Sequence, residues 1–224
     1  MILFSLVLAE SALELVPVEL QDHNSVLAYT KRTNKRPSNV LLDISWHFAA
    51  MKGIENEMKR GRPDLVHFCL LEASSIPLYF EKKLRIYLHT IEDKVIFVGD
   101  NVRLPKSYHR FVGLIEKLYS VGKIEENGKT LLEIKNMTFS ELIKKINPKK
   151  VFGLSTKGVP SSYEKFAQVI DKDSCIVIGG FSKGHFSEKT LKNIYKLFSI
   201  DKNQLEAHVV ISRVLYEYEK RIIM

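Results

Sequence analysis

The chain has 224 residues, and its 34 lysines and arginines against 26 aspartates and glutamates give a formal net charge of +8. Hydrophobic residues make up 45% of the sequence, which excludes global disorder and predicts a packed core. No apolar run approaches the roughly 20 residues that cross a bilayer, so we expect a soluble protein without a membrane partner. The basic excess is compatible with a polyanionic partner.

The two cysteines, Cys69 and Cys175, each lie inside an apolar run. Neither has a second Cys or a His at the spacing of metal ligands, so we expect no metal site. Buried, reduced thiols are typical of proteins in a reducing compartment. The cysteines therefore predict a cytoplasmic location.

The first part of the chain is predicted to hold three buried strands and a helix. Apolar runs predict strands over residues 2–9, 40–44 and 65–71. Residues 46–60 have apolar side chains at helical spacing and predict a helix. Residues 61–64, which include glycine and proline, predict the loop that ends it.

The middle of the chain carries local signals for turns and helix starts. Two β-rich runs joined by a short polar connection predict a hairpin over residues 84–98. Ser107 precedes a helical apolar pattern as a good N-cap, and Asn127-Gly128 is typical of a turn. Thr138 is followed three residues later by a glutamate, and this capping-box pattern predicts that a helix begins there.

From residue 150 onward, strand-like and helix-like runs alternate strictly. Such alternation predicts a parallel sheet with helices on both of its faces. Strands are expected over 151–155, 174–178 and 197–200, and helices over 160–170, 187–195 and 205–223. No clear repeat or low-complexity tail divides the chain, so one compact domain over residues 1–224 is favoured.

A glycine loop, residues 179–185, follows the strand predicted over 174–178. Gly179, Gly180 and Gly184 let the main chain approach a ligand closely. The chain lacks the dinucleotide-binding fingerprint, the phosphate-binding loop of nucleotide hydrolases and the nucleophile elbow. Because the carboxyl ends of parallel strands meet at one edge, the loops after the three predicted strands should form a crevice that suits adenine and ribose.

Several motifs in the same order make the chain resemble a known family. They are residues 61–71 (GRPDLVHFCLL), 75–78 (SIPL), 86–90 (IYLHT) and 103–114 (RLPKSYHRFVGL). Together they are similar to the ribosome-biogenesis pseudouridine-N1 methyltransferases. The glycine loop, residues 199–205 and the long last helix look like the end of SPOUT (α/β-knot) methyltransferases. The resemblance covers the chain from about residue 40, and it departs at Lys106, where some members carry arginine, and at Ile76.

The resemblance implies a SPOUT-type trefoil-knotted parallel sheet flanked by helices, with an added β-hairpin extension over 84–98 and a knotted cofactor-binding part over 150–224. It also implies an enzyme that uses S-adenosyl-L-methionine and releases S-adenosyl-L-homocysteine. That enzyme would methylate N1 of a pseudouridine in small-subunit ribosomal RNA and act in small-subunit biogenesis. Its partners would be this RNA, a second copy in a homodimer, and ribosomal proteins.

The candidate site residues follow from the crevice and the resemblance. The cofactor would be bound by Leu154, Thr156, Gly158, Ile178, Gly179, Gly180, Gly184, Ser199, Ile200, Gln204 and Leu205. The RNA would be bound by Arg62, Arg103, Lys106 and Arg110, with Asp64 orienting Arg62. Without the resemblance, these charges would equally suit a solvated helix face and a structural ion pair. No residue is marked as a general base, so none is assigned.

Two other functions stay open from the sequence. One is an assembly factor that binds ribosomal RNA with little catalysis and keeps the knot as a scaffold. The other is a SPOUT enzyme that acts on transfer RNA. Among the histidines, His185 beside the glycine loop is a candidate ligand contact, whereas His67 and His89 are expected to pack within strands.

Overall fold

The computed structural model describes residues 3–223, and within that range eight strands form one sheet. The strands are β1 (Phe4–Ser11), β2 (Leu84–Thr90), β3 (Lys94–Val98), β4 (Lys123–Glu126), β5 (Lys129–Asn136), β6 (Lys150–Pro160), β7 (Ser174–Gly179) and β8 (Lys196–Ser199). The helices are α1 (Asn24–Thr33), α2 (Ile44–Met51), α3 (Pro63–Ser74), α4 (Pro77–Phe80), α5 (Tyr108–Val121), α6 (Phe139–Ile146), α7 (Tyr163–Val169), α8 (Glu188–Leu191) and α9 (Ala207–Ile222).

The strands lie in the order β4-β5-β3-β2-β1-β7-β6-β8. Strands β2, β1, β7, β6 and β8 run parallel to one another, and β3, β5 and β4 continue the sheet in antiparallel pairs. The α/β fold class is therefore confirmed, with β2 and β3 as the hairpin that extends the parallel part. The trefoil knot stays a prediction.

Strand β1 is buried along its whole length because it has a strand on each side and helices over both faces. Side chains alternate between the faces along a strand. Leu6 and Leu8 join the large apolar cluster that includes α3, α5 and α9. Val7 and Ala9 join a second cluster that includes α6. The parallel strands are thus held rigidly, and their carboxyl ends form a fixed edge.

The strand predicted over 65–71 is wrong, because these residues lie in helix α3. Pro63 occupies the start of that helix, where a missing backbone N–H costs nothing. Asp64 follows in the first turn, near the positive end of the helix dipole. The run is apolar because most of α3 is buried in the core. Val66 is its only β-branched residue, so composition favoured a helix over a strand.

The strand predicted over 40–44 is wrong as well. Residues just before α2 form a bridge between Leu15 and Leu41, and the helix begins at the end of the apolar run. Asp43 caps this helix, because its Oδ1 accepts a hydrogen bond from the Ser45 amide at 2.8 Å. The capping aspartate inside an apolar run was the signal for a helix start.

Two further elements differ from the predictions. The helix predicted over 46–60 ends at Met51, and the rest holds a short 3-10 turn at Glu57–Lys59. Helix α1 has no counterpart among the predicted elements. Ile2, which was counted in the first strand, lies outside the described residues.

The strand–helix alternation beyond residue 150 is confirmed, although α7 and α8 are shorter than predicted. The capping box of α6 is confirmed: the Glu141 amide donates to Thr138 Oγ1 at 3.3 Å, and the Thr138 amide donates to Glu141 Oε2 at 2.8 Å. The turn at Asn127-Gly128 and the helix start after Ser107 are confirmed too. No helix within residues 3–223 is long and apolar enough to cross a membrane.

Candidate functional site

A cleft of about 330 Å³ lies where β6, β7 and β8 end. Its lining residues lie within three stretches, 154–156, 178–186 and 200–210. Strand β6 pairs in parallel with both β7 and β8, so the three carboxyl ends lie at one edge, where ligands bind in open α/β sheets. Strand β6 also has an irregular register between Leu154 and Val159, which moves its backbone out of the ladder beside the cleft. The three loops selected from the sequence therefore share one cavity.

The predicted cofactor residues fall into two groups by position. Those that line the cleft are Leu154, Thr156, Ile178, Gly179, Gly184, Ile200, Gln204 and Leu205. Gly158, Gly180 and Ser199 are not among the lining residues.

Packing accounts for these three exceptions. A Cβ on Gly180 would lie 2.2 Å from Ser11 Oγ, and a Cβ on Gly158 would lie 2.4 Å from the backbone of Phe198. Ser199 turns its hydroxyl towards the backbone and donates to the Asp201 carbonyl oxygen at 2.9 Å. All three residues shape the edge of the sheet that supports the cleft.

The glycine loop is tied to the chain on two sides. The Gly180 amide donates to the Ala9 carbonyl, and the Ala12 amide donates to the Gly180 carbonyl, each at 2.9 Å. On the other side, Gln204 Nε2 donates to the Ser182 carbonyl at 2.8 Å. The loop is therefore held between the end of β1 and the segment after β8, and the cleft is preformed.

Several cleft residues were missed by sequence reasoning. They include Phe181, Asp201, Asn203, Glu206 and Val210. Phe181, Asp201 and Asn203 lie in loops that the strand-end rule had selected, whereas Glu206 and Val210 lie outside them. The rule identifies loops, but it does not identify which side chains of a loop face the cleft. His185, a weaker candidate from the sequence, also lines the cleft.

The cleft combines buried apolar side chains with acidic groups. Leu154, Ile178 and Ala207 are buried and line its wall. Asp201 and Glu206 place carboxylates around it. Such a lining suits a ligand with a flat apolar part, hydroxyl groups and a positive charge. Within residues 3–223, no group of three His, Cys, Asp or Glu side chains is placed to hold a metal ion.

The Arg62–Asp64 pair lies at the start of α3. Arg62 Nε and Nη2 donate to the two Asp64 carboxylate oxygens at 2.8 and 2.9 Å, in the bidentate geometry that orients a guanidinium. These hydrogen bonds raise the pKa of Arg62 above its ordinary value. The predicted orienting contact is present, and it aligns the guanidinium of Arg62 with the Asp64 carboxylate.

The other predicted cations, Arg103, Lys106 and Arg110, are exposed, and none of them forms an ion pair with another residue of 3–223. Their segment is anchored by His67, whose Nε2 donates to the Pro105 carbonyl at 2.7 Å. The imidazole is buried, which lowers its pKa. His67 was expected to pack within a strand; it lies instead on α3, and it holds the cationic segment against that helix.

The Arg62 loop lies near one wall of the cleft. Helix α3 packs against α9, where the Phe68 and His208 ring centroids are 5.7 Å apart. Glu206, at the start of α9 and in the cleft wall, also acts to raise the pKa of Arg62, after Asp64. The structure therefore places Arg62 near the cleft wall that Glu206 forms at the start of α9.

His89 is engaged in structural contacts. Its Nδ1 accepts a hydrogen bond from the Glu10 amide at 3.3 Å, and its Nε2 lies 2.9 Å from Asp93 Oδ1. Burial lowers its pKa. Because both ring nitrogens have partners, His89 holds the hairpin against the end of β1.

Comparisons with known proteins agree with this architecture. A sequence profile described as EMG1/NEP1 methyltransferase matches residues 6–219. The curated protein named Ribosomal RNA small subunit methyltransferase Nep1 from Staphylothermus marinus is 42% identical over 215 residues, which cover 94% of this chain and 93% of the relative. The protein of that name from Thermococcus sibiricus is 40% identical, with 96% of each chain covered.

A solved structure is similar as well. The crystal structure of Archaeoglobus fulgidus Nep1 bound to S-adenosylhomocysteine matches with a TM-score of 0.87 and 37% identity, covering 96% of this chain and 97% of that one. The profile and these relatives confirm the family that the sequence motifs predict. The chain belongs to the EMG1/NEP1 methyltransferase family.

Proposed function

We propose that this protein transfers the methyl group of S-adenosylmethionine to N1 of a pseudouridine in small-subunit ribosomal RNA. The observation that carries the proposal is that α3 links the two sites: Arg62 at its start lies near Glu206 in the cleft wall, and His67 holds the segment of the exposed cations. Family membership and the names of the relatives support the reaction class and the kind of RNA.

The residues of the cleft fit S-adenosylmethionine. Leu154, Ile178 and Leu205 would pack against the adenine, and the carboxylates of Asp201 and Glu206 would accept hydrogen bonds from hydroxyl groups and attract positive charge. When bound, this cofactor supplies an electrophilic methyl group on a sulfonium. The Archaeoglobus fulgidus relative, whose structure holds S-adenosylhomocysteine, supports the assignment.

The residues of this chain would act by positioning. Methyl transfer is an in-line displacement, so orientation and the exclusion of water account for much of the rate. Pseudouridine N1 must lose a proton, and a nearby positive charge favours the deprotonated base. Arg62, held by Asp64, would supply that charge in a fixed orientation.

The exposed cations would bind the RNA backbone. Arg103, Lys106 and Arg110 lie on the segment that His67 anchors to α3, so phosphates held there would bring a loop of RNA towards the cleft. Sequence-specific RNA recognition usually targets such unpaired loops. Phosphate contacts would also make the affinity depend on salt.

The protein is further proposed to act as a knotted homodimer in the cytoplasm, with ribosomal proteins nearby. Ile44, Phe48 and Phe68 on α2 and α3 stay exposed, as expected of a surface that a second copy covers. Cys69 and Cys175 are free thiols in the core, as expected in a reducing compartment. Sedimentation of the purified protein tests the dimer.

Two measurements test the function. Calorimetry should detect binding of S-adenosylhomocysteine, and absence of binding would exclude the enzyme in favour of an RNA-binding assembly factor. Mass spectrometry should then detect one added methyl group on a small-subunit RNA hairpin that contains pseudouridine. A transfer RNA should stay unmodified under the same conditions; preferential methylation of the transfer RNA would redirect the proposal to that substrate.

A further inference from the structure

A buried acidic residue lies directly behind the glycine loop. Glu10, near the end of β1, is only 6% exposed. Its φ of +51° lies in the left-handed region, which a glutamate rarely adopts. A buried carboxylate on a strained backbone is costly, and such features persist where surrounding contacts demand them.

The Glu10 carboxylate joins two separate segments. Its Oε2 accepts a hydrogen bond from Lys59 Nζ at 2.6 Å, and its Oε1 accepts one from the Ser187 amide at 2.7 Å. Burial acts to raise the pKa of Glu10, but these hydrogen bonds outweigh it and keep the pKa below its ordinary value. Ser187 is the N-cap of α8 and follows the glycine loop closely. The charged carboxylate therefore fixes the far end of that loop.

The other partner of Glu10 contacts the middle of the glycine loop. Lys59 Nζ lies 4.6 Å from the centroid of the Phe181 ring, which lines the cleft. Its Cε lies 3.2 Å from the position of a Cβ on Gly184, whose φ is +109°. Beside it, Ser182 Oγ donates to the Met58 carbonyl at 3.1 Å. One short segment thus contacts Phe181 and Ser182 and lies close beside Gly184.

The same segment leads directly to the Arg62 loop. Arg60 Nε and Nη2 donate to the fully buried Glu14 carboxylate at distances of 2.6 to 3.1 Å. The Gly61 carbonyl accepts a hydrogen bond from the Ile44 amide at 2.9 Å. Because these contacts hold residues 60 and 61 in place, a displacement of Lys59 is transmitted to Arg62, which is three residues away.

We propose that Lys59, clamped by Glu10, is a positioning residue that sets the shape of the glycine loop and couples the cofactor cleft to the Arg62 loop. This inference rests on the proposed function, because it needs a cofactor in the cleft and RNA at Arg62. A ligand that packs against Phe181 and Gly184 restricts the movement of Lys59 and, through the chain, that of Arg62. Each ligand therefore raises the affinity of the protein for the other, and the coupling is reciprocal.

The test is a thermodynamic cycle measured by calorimetry. The Kd of S-adenosylhomocysteine is measured with and without a saturating RNA hairpin that carries one pseudouridine in its loop. In the wild type, the RNA should lower this Kd by about fivefold or more. In Lys59→Met, S-adenosylhomocysteine should bind about tenfold more weakly, a change of the size typical of coupling between sites. The RNA should no longer change this Kd. Lys59→Arg keeps the charge and should keep the coupling.

Two further variants separate positioning from folding. Lys149→Met removes an exposed lysine that pairs with Asp173, and it should behave as the wild type in both titrations. Lys59→Met combined with Glu10→Gln leaves no uncompensated buried charge, so it should fold while still lacking the coupling. Thermal unfolding confirms that each variant is folded.

The possible results distinguish the inference from the function on which it rests. A folded Lys59→Met protein with wild-type coupling would overturn the inference, as would a wild type that binds both ligands independently. Failure of the wild type to bind S-adenosylhomocysteine at all would instead refute the proposed function, and the inference would fall with it.

Discussion

The cleft and the cationic surface beside it are built by different means. The cleft is made from backbone: strand ends and glycines held by main-chain hydrogen bonds such as that between Gly180 and Ala9. The cationic surface is made from long side chains. Arg62 lies on a loop held by the ion pairs Arg60–Glu14 and Arg62–Asp64, whereas Arg103, Lys106 and Arg110 are exposed and form no ion pair within residues 3–223. Added volume should therefore damage the cleft, whereas lost charge should damage the segment that carries the surface.

The largest effect is expected at Arg60. Replacing it in Arg60→Met leaves the Glu14 carboxylate buried without its partner, which should lower the free energy of unfolding by about 3–5 kcal/mol. Urea denaturation measures this loss. The pair between the exposed Lys149 and Asp173 is the matched control, and Lys149→Met should leave the transition midpoint unchanged. Equal effects of the two substitutions would show that the buried Arg60–Glu14 pair is no more important for stability than the pair of Lys149.

A smaller effect is expected from added volume behind the cleft. Gly180→Ala would place a Cβ 2.8 Å from Ser11 Cα, so the glycine loop must shift. This shift should lower the free energy of unfolding by about 1–3 kcal/mol and weaken the binding of S-adenosylhomocysteine. Gly113→Ala is the control, because a Cβ on this helical glycine meets nothing within 4 Å. It should stabilise the protein by up to about 1 kcal/mol and leave binding unchanged. Calorimetry measures the binding and thermal unfolding measures the stability. Unchanged binding in Gly180→Ala would contradict the claim that closely packed backbone shapes the cleft.

Acid should weaken the packing between α1 and α2, which lies next to the cationic surface. His47 is fully buried, and burial lowers its pKa below the ordinary value of 6.5. Below about pH 6.5, the unfolded chain binds a proton at this histidine that the folded protein does not bind. The contribution of His47 to the free energy of unfolding is therefore fully present above about pH 6.5 and is lost as the pH falls below it. The total loss is about 1.4 kcal/mol for each unit by which folding lowers the pKa.

Denaturation curves at pH 8, 7, 6 and 5 measure this dependence. His47→Asn removes the titrating group, so the fall between pH 7 and pH 5 should become shallower, whatever the substitution costs at pH 8. The exposed His109→Asn should keep the wild-type slope. An identical slope in His47→Asn would assign the acid sensitivity to other groups.

The smallest effect concerns RNA affinity. Arg110→Ala should weaken binding of the pseudouridine hairpin and reduce the slope of log affinity against log salt by about 1, because one phosphate contact is lost. The Kd of S-adenosylhomocysteine measured without RNA should not change, since Arg110 does not line the cleft. Loss of cofactor binding in Arg110→Ala would show that the two regions are not separate.

Sequence reasoning succeeded where structure is local. The β-branched run before Gly179 and the capping box at Thr138 follow from short-range patterns, and both elements are present. It failed over 65–71, because burial makes a core helix as apolar as a core strand. The strand-end rule found the cleft, yet it could not tell that Gly180 packs against Ser11 instead of facing the cavity.

The cationic site depended more on the resemblance than on any pattern. Arg103 and Arg110 are exposed residues of a kind found on many helices, and only the family motif selected them. Lys59 carried no signal at all, since its partner Glu10 is 49 residues away along the chain. Contacts of this kind appear only when the fold brings distant segments together.

The central claim is that the cleft and the cationic surface together methylate one nitrogen of a pseudouridine. The most direct measurement incubates the protein and S-adenosylmethionine with two small-subunit RNA hairpins that differ only by pseudouridine or uridine at one loop position. Mass spectrometry of the digested RNA should find one added methyl group on the pseudouridine hairpin and none on the uridine hairpin, because uridine presents a carbon where pseudouridine presents N1. Binding of both hairpins without methylation, or equal methylation of both, would contradict the account.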